Sequence, residues 1–401
     1  MFYFFLELLN FIYLKKIHLF LLFALYTWIV WGAKYYYSRK YKPYNNSYDA
    51  SVSVVVPVLN EDLNVFDKCL NSIKIQNKAV ELIVVIDGSS EDIKKIAHKY
   101  ADKVLAYVWR GKRPCISDGY KQSNGDIIVM MDSDSIFNHE TGISELIKPF
   151  QDISVGGVTT TQKIFNREGS IIRRIAGWME DVRFTVGHPA QSVFGQVGCL
   201  PGRAIAIRKK YILPHMENFL NDYFMGEKCI TGDDRALTSY LLKDGYKTVL
   251  QSSSLVYTDC PNNWLKFIKQ QLRWSRSSQR ETIRNIGWMV KNNKFLAFYF
   301  MTDILTPIFF LIVTIDLINS YFWGVNHFFG LSLYSGILIG SVGMLSSIGV
   351  RQSFTINYGI KDLYYLPIYC LFLTFIQTPI RLYGLITCYN QGWMTRKKVK
   401  L

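Results

Sequence analysis

Apolar residues in this chain follow two patterns. Toward both ends they form runs of about twenty positions, long enough to cross a bilayer. In the middle they come in short runs separated by polar, glycine-bearing turns. The clearest short run is Ile127-Ile128-Val129-Met130-Met131, which stops on Asp132-Ser133-Asp134. An apolar run of this length, bounded by a turn, reads as a buried strand. Its ending sets two carboxylates at the carboxyl edge of a sheet, where open α/β folds hold cations and diphosphates.

Val52–Val56 and Leu82–Ile86 read the same way, the second ending on Asp87, and Val104–Trp109 makes another strand. Between them, Pro57–Asp62 turns into a helix reaching about Gln76, Asp92–Tyr100 forms a second helix, and Gly111-Lys112-Arg113 opens a third. This alternation predicts an α/β fold with a parallel sheet covered by helices on both faces. After Asp134 it loosens. Gly156–Lys163 and Ala204–Ile207 read as strands, and Ile171–Val186, Asp233–Leu242 and Trp264–Arg284 as helices. The last is aromatic on one face and basic on the other, as suits a membrane surface.

At the N-terminus, residues 2–14 are apolar but too short to span, and predict an interfacial helix. Ile17 to about Tyr37 is long enough, and Lys34, Arg39, Lys40 and Lys42 near its exit place the next segment in the cytosol. Further apolar runs fall at about Phe295–Ile318, Phe328–Val350 and Leu363–Cys388. Three full spans would leave the basic tail Arg396–Lys400 outside the cell. The third run, which contains Pro367, Pro379 and Arg381, is therefore read as a partial span. Asp303 and Arg381 are intramembrane charges, hence functional candidates as channel lining or mutual partners.

The chain carries 46 basic against 31 acidic side chains, a net charge of +15. With the apolar residues gathered at the ends, this excess points to a membrane surface or an anionic substrate, not nucleic acid. Seven cysteines with no Cys-x-x-Cys pair suggest neither a disulfide framework nor a zinc site.

Asp87, Asp132 and Asp134 fall on one sheet edge, joined by Lys112 and Arg113, which bring positive charge for a diphosphate. Asp233-Asp234 is a second carboxylate pair: either a helix cap or, with one pKa raised by its neighbour, a general base. Gln270, Arg273 and Trp274 share a helix face by i, i+3, i+4 spacing, as a sugar platform or as an interfacial anchor.

In order and spacing, Asp87, Asp132-Ser133-Asp134, Gly232-Asp233-Asp234-Arg235 and Gln270-Gln271-Leu272-Arg273-Trp274 resemble the processive, inverting family 2 glycosyltransferases over nearly the whole chain. Within that family the chain looks like the hyaluronan synthases, including its close, Gly392-Trp393-Met394-Thr395-Arg396. It looks still more like the streptococcal type 3 capsular polysaccharide synthases, through Gly156–Thr160, Val197–Arg203 and Tyr257-Thr258-Asp259.

The resemblance implies a GT-A-type, Rossmann-like cytosolic domain (45–260), preceded by an anchor (1–44). Interfacial helices (261–294) and a channel region with a cytosolic tail (295–401) come after it. It implies a multi-pass plasma-membrane enzyme that polymerises UDP-sugars onto a growing polysaccharide and exports the product. Asp87 would meet the uracil, Lys112 and Arg113 the uridine and diphosphate, and Asp132 the nucleotide. Asp134 would hold Mg²⁺ or Mn²⁺, and Asp234 would be the base. Gln270, Arg273 and Trp274 would form the acceptor platform, and Trp393 and Arg396 would approach the site from the cytosol. The acceptor loop departs from the hyaluronan-synthase pattern: it reads Cys199-Leu200-Pro201-Gly202-Arg203. Arg203 adds a cation where the polymer should sit, which suits a uronate carboxylate and favours UDP-glucose with UDP-glucuronate over a hyaluronan synthase using UDP-N-acetylglucosamine. The competing readings are a non-processive transferase loading one sugar onto a lipid, and a transporter or scaffold with a degenerate nucleotide domain.

Overall fold

The computed structural model describes residues 19–88, 90–322, 333–353 and 364–392. The interfacial helix expected over 2–14, Trp393 and Arg396 lie outside them. The fold centres on an eight-stranded sheet of order β3-β2-β1-β4-β7-β6-β8-β5. Its strands are β1 (Val52–Val58), β2 (Glu81–Asp87), β3 (Lys103–Tyr107), β4 (Ile127–Met130), β5 (Ser135–Phe137), β6 (Val155–Ile164), β7 (Ile205–Arg208) and β8 (Lys247–Thr258).

The first four strands are parallel, as the alternation predicted. The whole sheet is not. β7 runs antiparallel to both β4 and β6, and β5 antiparallel to β8. Neither β5 nor the twelve-residue β8 was expected. The polar stretch Gln251-Ser252-Ser253-Ser254 interrupts β8's apolar pattern, and a register shift between Gln251 and Leu255 absorbs it. Alternate residues bury opposite faces: Val54, Val56, Leu82 and Val84 on one, Val55, Ile83 and Val85 on the other. Because β1 lies between β2 and β4, the parallel strands end side by side, and Glu61, Asp87, Asp132 and Asp134 cluster at those ends.

The N-terminal run forms α1 (Leu19–Ser38), and α2 (Leu63–Lys74) and α3 (Glu91–Tyr100) cover one face of the sheet with α4 (Lys112–Gln122) on the other. Asp62 caps α2 by accepting the Asn64 and Val65 amides. α5 (Ile171–Val182) runs on through a π-helical turn, Arg183–Gly187, into α6 (His188–Ser192). α7 (Asp233–Lys243) leads to the long α8 (Trp264–Asn292), which packs on α9 (Lys294–Phe322). Beyond α9 come α10 (Leu333–Ser353), α11 (Leu366–Phe372) and α12 (Thr378–Ile386).

The proline-bearing run, expected to span only in part, is helical over Leu366–Ile386. Pro367 sits in the first turn of α11, where a missing amide costs nothing, and Pro379 directly follows a π-helical turn, Leu373–Gln377, that joins α11 to α12. Among the described residues, Leu366–Ile386 is one of three helices long and apolar enough to cross a membrane, with Leu19–Ser38 and Lys294–Asp316.

Candidate active site

The left-handed glycine Gly232 (φ 75°) ends a loop and starts α7, so Asp233 and Asp234 enter as the first helical residues. The turn is anchored from behind. The Thr231 carbonyl accepts Arg280 at 2.7 Å and Arg113 at 3.2 Å, and Arg113 also bonds the Asp222 carboxylate at 2.9 Å. Arg113 is 4 % exposed and does not line the active-site cavity. The uridine or diphosphate contact expected of it is therefore corrected: its guanidinium is spent on the loop that presents Asp233.

Lys112, one residue earlier, points the other way. Its ammonium lies 2.7 Å from Asp132 and 3.0 Å from Asp233, tying the end of β4 to the start of α7. Burial works against its charge, and the two carboxylates override that, raising its pKa. Asp87 accepts the backbone amides of Arg110 and Gly111 at 2.6 and 2.8 Å. It therefore fixes the loop that launches Lys112 as well as facing the cavity.

The Asp134 carboxyl is pushed up to about 7 by burial first, then by Asp132 and Glu61. Glu61, which sequence reading passed over, accepts the Ser133 hydroxyl at 3.1 Å. Its signal was positional: it lies just past β1, the strand between the two that carry the expected aspartates. Three carboxylates face two nearby cations, of which Lys112 is paired with Asp132 and Asp233, and Arg203 with Glu180. The donor set is hard oxygen and short of positive charge, which suits a divalent cation. Among the described residues no three His, Cys, Asp or Glu side chains are grouped tightly enough to cage one by themselves. Asp234 is raised by burial and then by Asp233, whereas Asp233, despite its burial, is lowered by Lys112 and Arg113. The Cys199 thiol reaches Asp234 at 3.8 Å, and burial pushes that thiol up.

Arg203 does not hang free in the acceptor loop. It bonds Glu180 at 2.9 Å and Gln162 at 3.1 Å, and lies 5.5 Å from the Trp274 ring centre. Glu180, a second residue missed in the sequence, cancels the charge on which the uronate argument relied. Gly202 gives its carbonyl to the Asp132 amide at 3.2 Å. Gln270, Arg273 and Trp274 do share a face, and all three line the cavity.

That cavity, of about 860 Å³, is continuous. It runs from Pro57, Asp87 and Lys112 past Asp134, Asp234 and Trp274 to Asp303, Arg351, Gln377 and Arg381 on α9 to α12. Arg235 couples its two parts: it bonds Ser278 and Thr282 on α8 at 2.6 and 2.9 Å and lies 3.9 Å from the Phe300 ring centre on α9.

The mixed sheet sets carboxylates along the ends of its parallel strands, where open α/β folds bind their ligands. The profile described as "Glycosyltransferase like family 2" matches residues 50–277, more than half of the chain, and the protein belongs to that family: it is a glycosyltransferase. It is 28% identical over 374 residues to a hyaluronan synthase of Streptococcus pyogenes, spanning 90% of this chain and 87% of that one. It is 27% identical over 355 residues to an N-acetylglucosaminyltransferase of Azorhizobium caulinodans, covering 86% and 87% of the two chains. Its fold matches a mannosyltransferase from Pyrobaculum calidifontis, solved with GDP-Man and Mn2+, at a TM-score of 0.60. That match has 15% identity and covers 89% of this chain and 99% of the other.

Proposed function

We propose that the protein is a membrane-embedded, processive, inverting glycosyltransferase that polymerises UDP-sugars into a glucuronate-containing polysaccharide and passes the product across the plasma membrane. The observation that carries this reading is the unbroken cavity from the carboxylate edge to the apolar helices. An enzyme that adds one sugar to a lipid has no need of a polar passage beyond Trp274, and a degenerate nucleotide domain has no need of a complete acidic set.

In this reading residues 1–44 anchor the chain, 45–260 form the cytosolic catalytic domain, 261–294 its interfacial seat, and 295–401 the channel and tail. The donor's uracil lies against Asp87, and its diphosphate beside Lys112 and Asp132. Asp134 would hold Mg²⁺ or Mn²⁺, which when bound would supply Lewis-acid stabilisation of the departing UDP. Asp234 takes the proton from the acceptor hydroxyl as that oxygen attacks the anomeric carbon. The new glycosidic bond forms as the bond to UDP breaks, on the opposite face. Gln270, Arg273 and Trp274 hold the acceptor sugar in line, and Cys199, Gly202 and Arg203 frame it. Trp393 and Arg396 would reach the donor from the cytosolic side.

The proposed donor pair is UDP-glucose with UDP-glucuronate, carried by Gly156–Thr160, Val197–Arg203 and Tyr257-Thr258-Asp259, without the charge of Arg203. The second reading, UDP-N-acetylglucosamine with UDP-glucuronate, is favoured by the identity to the streptococcal hyaluronan synthase. Washed membranes supplied with UDP-sugars singly and in pairs, with either metal, decide between them. Polymer from the glucose pair alone supports the first, polymer from the acetylglucosamine pair alone the second, and a single sugar on lipid overturns both.

A further inference from the structure

The far leg of the cavity carries an unbalanced charge. The lining residues contributed by α1, α9, α10 and the α11–α12 helix include Lys34, Arg351 and Arg381, against Asp303 as the carboxylate. Lys34 takes Asp303 at 3.4 Å and lies 3.9 Å from the Tyr299 ring centre. Arg351 donates to the Ser347 carbonyl at 3.2 Å and lies 5.5 Å from the Trp28 ring centre. Arg381 feels Asp303 only at longer range, and makes no hydrogen bond or ion pair with any described residue. It faces the passage bare.

A guanidinium keeps its charge even in apolar surroundings, and such a charge inside a membrane calls for a partner. One turn before it, Gln377 is 8% exposed, and its side-chain oxygen has no hydrogen-bond partner; the Thr374 hydroxyl, 4% exposed, has none either. By i, i+4 spacing Gln377 and Arg381 share the face turned to the passage. An unpartnered amide oxygen, which can accept from a sugar hydroxyl, and an unpartnered hydroxyl beside a planar, doubly donating cation match a sugar that carries hydroxyls and a carboxylate.

We propose that Arg381, with Gln377 and Thr374, forms a carboxylate-binding subsite that holds a hexuronate unit of the product on its way through the apolar helices. The proposal rests on the polymer-exporting reading and adds to it a place where the anionic unit is recognised, away from the transfer chemistry. Selection would then fall on the product in the passage, in addition to the donor at the sheet edge.

The test is direct binding, with no donor present. The full chain in lipid nanodiscs is titrated with a glucuronate-containing tetrasaccharide and with the same tetrasaccharide after its carboxyls are reduced to alcohols. The intact protein is expected to bind the acidic form about tenfold more tightly, and this preference is expected to shrink as salt rises. Arg381→Gln should abolish the preference, and Arg381→Lys should restore part of it; elution position and unfolding temperature check that each variant is folded. Equal binding of the two tetrasaccharides by the unaltered protein overturns the proposal even if no variant folds. So does a preference that survives Arg381→Gln. Failure to polymerise any UDP-sugar pair would instead overturn the underlying reading, and is measured separately.

Discussion

The Arg203 guanidinium stands 2.9 Å from the Glu180 carboxylate, and both are nearly excluded from solvent. The cation of the pair lies 5.5 Å from the Trp274 ring centre. Burial works to raise the Glu180 pKa, and Arg183 and Arg203 more than reverse it. A buried pair is costly to break from one side, because the remaining charge loses its partner. Arg203→Ala is expected to destabilise the protein by about 3 kcal/mol. Glu180→Gln, which keeps the shape, should cost less but leave a free cation beside Trp274. Thermal unfolding of the detergent-solubilised protein measures the first, and weakened acceptor use at saturating donor the second. If Arg203→Ala unfolds at the temperature of the unaltered protein, the pair is not structural.

Burial and then Asp233 are the two largest causes of the raised Asp234 pKa, with Asp132 a smaller one, so the Asp233 contribution can be separated. A base works only when deprotonated, so turnover should fall as pH drops through its raised pKa. Asp233→Asn removes the second cause. The acid limb of the profile should then move to lower pH, with Lys112 still held by Asp132 at 2.7 Å. Asp234→Asn should lower turnover about 10²- to 10⁴-fold while UDP binding persists. UDP release against pH for the three proteins checks both, and an acid limb that stays put in Asp233→Asn would remove Asp234 from the role of base.

A proton on Asp134 competes with any cation. Its carboxyl is pushed up to about 7 in the folded protein from an ordinary 3.8. An acid raised by folding binds its proton more tightly in the folded state, so it costs stability as pH climbs from 3.8 toward 7. Cation binding relieves that cost. Stabilisation by Mn²⁺ with UDP should therefore be larger at alkaline pH than at mildly acidic pH. Glu61→Gln removes one of the causes and should shift the rise of Mn²⁺ affinity to lower pH. Titration of the Mn²⁺ paramagnetic resonance signal tracks this, and affinity flat across that range would exclude Asp134 as a ligand. Chelation should stop UDP release, and Mn²⁺ or Mg²⁺ should restore it, except in Asp134→Asn.

The range of each interaction decides how legible it is in the sequence. Buried parallel strands announce themselves as local apolar runs, so β1 to β4 and the aspartates after β2 and β4 were legible, though Glu61 after β1 was not. The i, i+3, i+4 placement of Gln270, Arg273 and Trp274 was legible for the same reason. β8 was not, because Gln251 to Ser254 interrupt its pattern, and its pairing with β6 is non-local. The partners of charged residues were hidden as well. Nothing near Arg113 in the chain points to Asp222, and nothing near Arg203 to Glu180, yet those partners take both cations away from the roles read for them. At Pro379 the local meaning is a helix breaker, and the π-helical turn just before it, through which the helix continues, has no signal in the sequence.

Gly232 is the joint on which the proposed base turns. Its φ of 75° is one that side-chain-bearing residues adopt at a cost of roughly 1–2 kcal/mol. A Cβ there would also meet the Ser277 Cβ at 2.9 Å and the Arg280 guanidinium at 3.1 Å. The Ser277 contact is with a carbon fixed to the α8 backbone, so the loop must give way instead. Arg280 is fully buried and holds the Thr231 carbonyl at 2.7 Å, which limits where the loop can go. Gly232→Ala should therefore move Asp233 and Asp234 together relative to Asp132, stretching the Lys112 bridge that joins them. The expected result is a fall in kcat of at least about tenfold, the consequence of sub-ångström misplacement at a transfer site. KM for the donor should change less, because Asp87 and the end of β4 are untouched. Steady-state UDP release separates the two constants. A variant with unaltered kcat would mean that α7 can be entered without a left-handed residue, and that the base is not positioned by this turn.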